Sequence, residues 1–517
     1  MSGRGSGLHF IIVDPASDPS PSQRIREVRS HAGRWTWQQG RRGQPETADA
    51  DGVDSCGDDD AQAGLDNQGQ LVLTHRGPPA PTPANRPSPS ILDPFQTYVP
   101  ATISMETVSV NNKYCLSVLW PGLMPSQPGS IHPGAHAWFS SSLSHPALHS
   151  SMLFGSLSHR KTHVSKSQGP FSTTDSKTMV LSQMDSISKI NAAIQEPSLA
   201  VTDEIILSVL TLANNDSGGS RGIQKSPFQP TLRSLQWLDI YGRLSPNPIH
   251  QVGLLRLVEL RGGLDKIERC CVHSSGILAA SRTLSRPIFP FVSLQGVAPP
   301  TLQDTIAIHE YAVDSGPDIL LGLRMTQEMH DVFRAARIYV SIVDAYQQGS
   351  ALAMNIAAIC DHRNLIQWQI MSLPPVNETY HVLNGVCPPM YESCRLALMI
   401  IGIGVIFPLP AETAPLVEAA RMLQIALQAY TYGTSSSMTT SEVLRVYCWC
   451  VVLGGIASTG YPERAWFVQE LSDVAAIILV SSWSELLSVL RSILWFDEAC
   501  SSAGKELFME ATYLRLK

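Results

Sequence analysis

The chain has 517 residues, 44% of them hydrophobic and only 16% charged, with a net charge of −7 and a pI of about 6.1. That length is ample for a large buried core and sets a prior of about two to four domains. The mild acidity gives no global attraction for nucleic acid or anionic membrane, and charge below the roughly 25% of an average globular chain implies well-buried helices rather than faces laced with ion pairs.

Cysteine usage narrows the class further. The ten cysteines stand at positions 56, 115, 270, 271, 360, 387, 394, 448, 450 and 500, with no CxxC pair. Neither a zinc finger nor a zinc binuclear cluster is visible, because both need closely spaced soft ligands. The N-terminal MSGRGSGLHFIIVDP has an apolar run, Leu8–Val13, too short for a signal peptide. Reduced, intracellular thiols are therefore expected, not a disulfide framework.

Residues 1–43 carry seven arginines against Asp14, Asp18 and Glu27, a net of +4. Arg24, Arg26, Arg29, His31, Arg34, Arg41 and Arg42 are interleaved with Trp35 and Trp37. Guanidinium and indole groups together suit phosphate contact and base stacking, and the same residues fit a nuclear-import patch. A short basic amphipathic helix packed on the surface is the alternative. With no folded reading element, nucleic-acid contact here would be salt-sensitive and independent of sequence.

Residues 44–90 reverse the charge, with eight acids against Arg76 and Arg86, and end in GPPAPTPANRPSPS. Low hydrophobicity with Pro, Gly and Asp predicts a disordered linker, since too little apolar surface is available to offset chain entropy. Asp58, Asp59 and Asp60 fall in it and read as a solvated acidic run rather than a cation site.

From about 91 to 517 the apolar residues recur at helical spacing, interrupted near 160–176, 214–230, 373–390 and 433–440. Thr202-Asp203-Glu204 reads as a helix start and Gly262-Gly263 as a stop. Helices are predicted within Ile249–Leu260, Glu328–Tyr346, Thr413–Tyr430 and Val443–Ile456. His9–Val13 is the one modest strand candidate. The fold class is all-α: a large multi-helix domain behind a basic N-terminal segment and a linker. Two uncharged runs, Leu396–Pro410 and Val446–Pro462, are shorter than a membrane span and carry prolines or glycines, so both read as buried core helix.

Recognised catalytic arrangements are missing from the sequence. The single G-x-S-x-G match, Gly218–Gly222, falls in the 214–230 stretch that reads as a loop with no strand before it, so it makes no nucleophile elbow; there is no Walker loop and no H-E-x-x-H. Ile401–Val405 (IGIGV) lacks a third glycine and reads as a close helix contact. His145 and His149 stand four apart with no third ligand, and read as capping or surface histidines. Asp361-His362-Arg363 is a polar island among apolar helices, either an ion-paired turn or a site. Asp497, Glu498 and Cys500 form no nameable acid–base set. The expectation is a non-enzymatic protein with no metal and no cofactor. Large helical domains do enclose apolar pockets, so a metabolite-sensing module stands as the alternative to a regulator acting on partners.

Ordered blocks carry a family resemblance. FIIVDPASDPS…REVRSHAGRW (10–35), Asp93-Pro94-Phe95, VLWPGLMP (118–125), HPALHSSMLFGSLSH (145–159), Ala200–Ala213, VGLLRLVELRGGL (252–264), RPIFP (286–290), Tyr391–Pro410 and LGGIASTGYPERAWFVQEL (453–471) together resemble the fungal-specific transcription factor domain family. The resemblance is to the subgroup without its own zinc cluster. It implies an all-α regulatory domain over about 93–517, acting in the nucleus (or, alternatively, the cytoplasm) through other transcription-regulatory proteins, with a homodimer as one form. Complete members read DNA through a six-cysteine zinc module, which this sequence does not show. If Arg24–Arg42 are the import signal, deleting residues 1–43 abolishes nuclear accumulation of a fluorescent fusion; unchanged accumulation refutes that role.

Overall fold

Short polar side chains start the helices. Ser104 Oγ accepts the amide of Thr107 at 3.2 Å, Thr326 Oγ1 that of Met329 at 3.3 Å, and Thr440 Oγ1 that of Val443 at 3.4 Å. Asn247 Oδ1 accepts from both Ile249 and His250. Each bond satisfies an amide that the first turn leaves without an intrahelical partner. Thr202 also sits at an N-cap, but its hydroxyl donates to the Leu199 carbonyl instead.

The computed structural model describes residues 103–126, 131–166, 169–215, 224–267, 272–294, 323, 325–349, 356–379, 390–433 and 440–516. The arginine cluster Arg24, Arg26, Arg29, Arg34, Arg41 and Arg42, the linker 44–90, Asp58–Asp60 and the strand candidate His9–Val13 lie outside them. The described residues are all-α, as expected, with no strand among them. The main helices in chain order are α1 (Met105–Tyr114), α2 (Trp120–Leu123), α3 (Pro133–Ser144), α4 (Pro146–Lys166), α5 (Thr173–Ala193), α6 (Asp203–Asn214), α7 (Leu238–Tyr241), α8 (Pro248–Arg261), α9 (Val272–Thr283), α10 (Gln327–Gln347), α11 (Ile356–Ser372), α12 (Tyr391–Ile401), α13 (Leu416–Gly433), α14 (Ser441–Ala457), α15 (Arg464–Ile477), α16 (Trp483–Arg491) and α17 (Asp497–Leu516).

Three of the predicted helices fall inside these bounds, the fourth starts at Leu416 rather than Thr413, behind Pro415, and the break at 160–176 narrows to the short stretch between α4 and α5. Gly262 ends α8 with φ +97° and Gly263 follows at φ +109°, a left-handed stop that only glycine adopts without strain. The buried face of α8 is Gly253, Leu254, Leu257 and Val258, whereas Val252 and Leu260 are exposed. An apolar residue on a helix is therefore no guarantee of the core-facing side.

Two apolar cores share the fold. The first gathers α1–α6 and α8 around α4, which is buried continuously from Ala147 to His159. The second gathers α9–α17 around α12 and α14. Both runs considered as membrane spans lie in this second core, and no helix among the described residues is long and apolar enough to cross a membrane.

Within α14, Gly454 and Gly455 let other helices approach closely. A Cβ on Gly454 would lie 2.2 Å from Phe467 Cε1, and one on Gly455 2.5 Å from Leu507 Cδ2. Trp449 is fully buried there and donates to the Leu494 carbonyl at 2.7 Å. Arg464, one residue into α15, reaches back to the Gly455 carbonyl and pairs with Glu510 at 2.7 Å. Phe467, Leu494 and Trp495 are core residues, but Trp466 and Trp483 are only partly buried. Helical geometry explains it: Phe467, Leu471 and Val474 form the inward stripe of α15, and Trp466 lies about 100° round from Phe467.

Trp449→Ala should cost about 3–5 kcal/mol in urea unfolding of the full chain, and Trp466→Ala less than half of that. Equal costs would contradict this register.

Candidate functional site

The two cores meet along residues 235–241. Gln236 and Trp237 are consecutive non-glycine residues in the left-handed region, at φ 56° and 54°. Such backbone costs about 1–2 kcal/mol per residue and persists only where surrounding bonds hold it. Here they do. Gln236 Nε2 donates to the Leu123 carbonyl at 3.1 Å, and Trp237 Nε1 to the Leu119 carbonyl at 2.9 Å. Gly122 makes that approach possible, since a Cβ there would lie 2.3 Å from Trp237 Nε1. On the other side Arg282 Nη2 donates to the carbonyls of Tyr241, Gly242 and Leu244.

Two π-helical turns flank the same junction. Cys115–Leu119 precedes α2 and Gly402–Ile406 follows α12. Each closes one residue before a proline, at Trp120-Pro121 and Phe407-Pro408. Proline supplies no amide for the next helical bond, so a wider turn interrupts the ladder at both sites; the chain continues into α2 past Pro121 and leaves the helix at Pro408. Trp120 and Phe407 are thereby delivered to one place.

That place is a pocket of about 130 Å³. Trp120, Trp138, Tyr241 and Phe407 supply aromatic wall, while Met152, Leu210 and Leu278 supply aliphatic wall. Arg363, Asn364, Gln236 and Asn215 are its principal polar residues. Gly155, also on the wall, lets α4 and α6 close together, since a Cβ on it would lie 2.6 Å from Thr211 Cγ2.

Arg363 dominates the chemistry. The island Asp361-His362-Arg363 lies within α11, not in a turn, and every residue from Ile359 to Gln367 is buried. Asp361 and Arg363 are two apart, so they point away from one another and do not pair. Asp361 accepts from Ser293 Oγ and, at 2.8 Å, from the Leu294 amide. Arg363, only 1% exposed, donates to the Leu235 carbonyl at 2.9 Å, to Gln236 Oε1, and through Nη2 and Nε to Asn364 Oδ1. Its guanidinium lies 5.0 Å above the Phe407 ring. No carboxylate pairs with it among the described residues. Burial pulls its pKa below the ordinary value.

Two further wall residues keep buried polar atoms without a hydrogen-bond partner, Trp138 Nε1 and Asn215 Oδ1. The Asn215 amide nitrogen is already engaged by the Thr211 carbonyl at 2.8 Å. Behind the wall, Tyr114 and His159 Nδ1 bond at 2.8 Å, and the His159 ring stands edge-on to Trp237. Burial pulls His159 down to about 3, and His149 and His250 to about 4.

The other candidates disperse. His145 ends α3 outside the helix that holds His149, and no group of three potential metal ligands occurs among the described residues. His132 is a cap, accepting the Gly134 amide. Asp497 pairs with Arg491 at 2.6 Å, Glu498 accepts from Thr231, and Cys500 is fully buried. In IGIGV, Gly404 and Gly402 face Phe228 and Gln367 in close packing, as expected. The six described cysteines are free and buried, and burial pushes the thiols of Cys115, Cys360 and Cys448 up to about 12, so they stay protonated.

Gln236, Asn215, Trp138 and Phe407 were not singled out from the sequence. The usable signals were the Trp-Pro and Phe-Pro breaks and a fully polar island inside an apolar helix. No protein-family model, no curated protein and no solved structure matches the chain.

A pH test follows from the histidines. They stay neutral when folded and take up protons when unfolded, so their contribution is complete above pH of about 6.5 and declines as pH falls toward 4. The wild type should lose stability between pH 7 and 5. His159→Gln should lose about 2 kcal/mol less over that interval, from 1.5 pH units at about 1.36 kcal/mol each. Equal losses would contradict the burial of a neutral His159.

Proposed function

We propose that residues 103–516 form the ligand-sensing regulatory domain of a transcription-control protein. The pocket at the junction of the two cores carries the ligand-sensing part. It is apolar, aromatic and furnished with a few fixed polar groups, the composition of small-molecule sites rather than of packing defects. Strained backbone and π turns gathered around it point the same way, since such features persist where function holds them.

The transcription part is supported by the ordered sequence blocks that resemble the fungal-specific transcription factor domain family, with which an all-α domain agrees. The domain acts on other transcription-regulatory proteins, or as a homodimer, in the nucleus. Arg24, Arg26, Arg29, Arg34, Arg41 and Arg42 supply import or non-specific nucleic-acid contact. Binding rather than catalysis is the activity, with no metal or cofactor required.

The pocket also orders the consequences of binding. A molecule seated there touches α2, α3, α4 and α6 of one core and α9, α11 and Phe407 of the other. It thus biases how the two halves pack, which is the differential contact that a regulatory response requires.

Thermal unfolding of the full chain against a panel of small metabolites tests the reading. A ligand at 100 times its dissociation constant should add about 2.7 kcal/mol of stability. No shift with any member of the panel would contradict ligand sensing.

A further inference from the structure

Resting on that ligand-binding reading, we propose that the pocket takes a small monocarboxylate. Its carboxylate meets Arg363 and its flat or branched apolar body lies among Trp120, Trp138, Tyr241 and Phe407.

Arg363 is a buried cation on the pocket wall with no carboxylate partner among the described residues. Its four donor hydrogen bonds, all to neutral oxygens, leave one Nη1 N–H of its five. Asp361, two residues away on α11, is already engaged by Ser293 and Leu294. A buried cation without a counter-ion is costly, and removing that imbalance requires one negative charge. A dianion would leave a buried negative charge instead, so phosphate-like ligands fit less well.

Trp138 Nε1 is a donor without an acceptor, suited to the second carboxylate oxygen or to a neighbouring carbonyl. Asn215 Oδ1 is an acceptor without a donor, suited to a hydroxyl or amine on the same molecule. Both are on residues of this wall and both are buried, so each carries a desolvation cost that a matching ligand group removes.

An apolar cavity of about 150 Å³ accommodates benzene, so about 130 Å³ fits a single ring or a branched chain bearing one carboxylate. The aromatic wall favours a flat body. Arg363 is held by Leu235, Gln236 and Asn364 before any ligand arrives, so its orientation is set in advance and little side-chain entropy is lost on binding.

Calorimetric titration of the full chain with benzoate, phenylacetate and 3-methylbutanoate, each against its own amide and alcohol, tests this. At least one acid should bind, and its amide and alcohol should bind about ten-fold more weakly or worse, the size expected for a hydrogen bond to a charged group. Trp138→Phe removes the N–H together with two ring carbons; it should weaken the acid about five-fold more than its amide, whereas a loss of packing alone would weaken both alike. Arg363→Met should abolish the preference for acid over amide. If that variant does not fold, the acid-to-amide ratio on the wild type and the Trp138→Phe titration decide the matter. Amides that bind as tightly as acids overturn the carboxylate assignment while the ligand-sensing reading stands. Failure of every acid to bind also overturns it, and the metabolite panel then judges the broader reading separately.

Discussion

A buried guanidinium organises the junction of this fold. Bringing Arg363 out of water costs several kcal/mol, and only a full set of well-placed acceptors makes that tolerable. The acceptors come from a distance: Leu235 and Gln236 lie 128 and 127 positions away along the chain. Their carbonyl and amide oxygens must face inward to reach Arg363, and the left-handed backbone at Gln236 and Trp237 accompanies that arrangement. The same two residues then grip the carbonyls of Leu123 and Leu119 in the other core. One hydrogen-bonded path thus runs from α11 through 235–237 to residues 119–123, and with the Arg282 bonds and the Lys166–Asp239 ion pair on the same segment it joins the two apolar clusters.

The remaining features are consistent with this constraint. Pro408 ends its helix and Pro121 starts α2, and the π turns before them bring Trp120 and Phe407 to the pocket wall. Phe407 offers its ring face to Arg363 at 5.0 Å, a cation–π contact that partly compensates for lost water. Glycines at 122 and 155 remove side chains where the walls crowd. The result is a pocket whose shape is apolar and whose single strong electrostatic feature is positive. Folding leaves that charge without an anionic partner among the described residues, and a regulatory ligand can exploit such an imbalance.

Much of the helical framework was legible in the residues alone. Thr440 and the uncharged run after it mark α14 as a buried helix, and Gly454-Gly455 as its point of close contact. Gly262-Gly263 ends α8 where the turn chemistry says it should. These are local signals, set by the helical period and by glycine's freedom. The inward face of α15 was less legible, because Trp466 and Phe467 are both large and apolar and only packing chooses between them. The pocket was not legible. Its walls run from Leu119 to Phe407 and no local period brings them together. The island at 361–363 was visible, but whether it was a turn or a site depended on partners that no neighbouring residue reveals. Gln236 and Trp237 carry no sequence mark of left-handed backbone, since glycine or asparagine would be the usual sign.

Hydrogen exchange on the full chain, wild type against Arg363→Met, tests most directly whether Arg363 holds the junction. The expected result is faster exchange in three separated segments together: α11, residues 235–241, and α2 with the π turn before it. Faster exchange confined to α11, with 235–241 and 115–124 as protected as in the wild type, would contradict it.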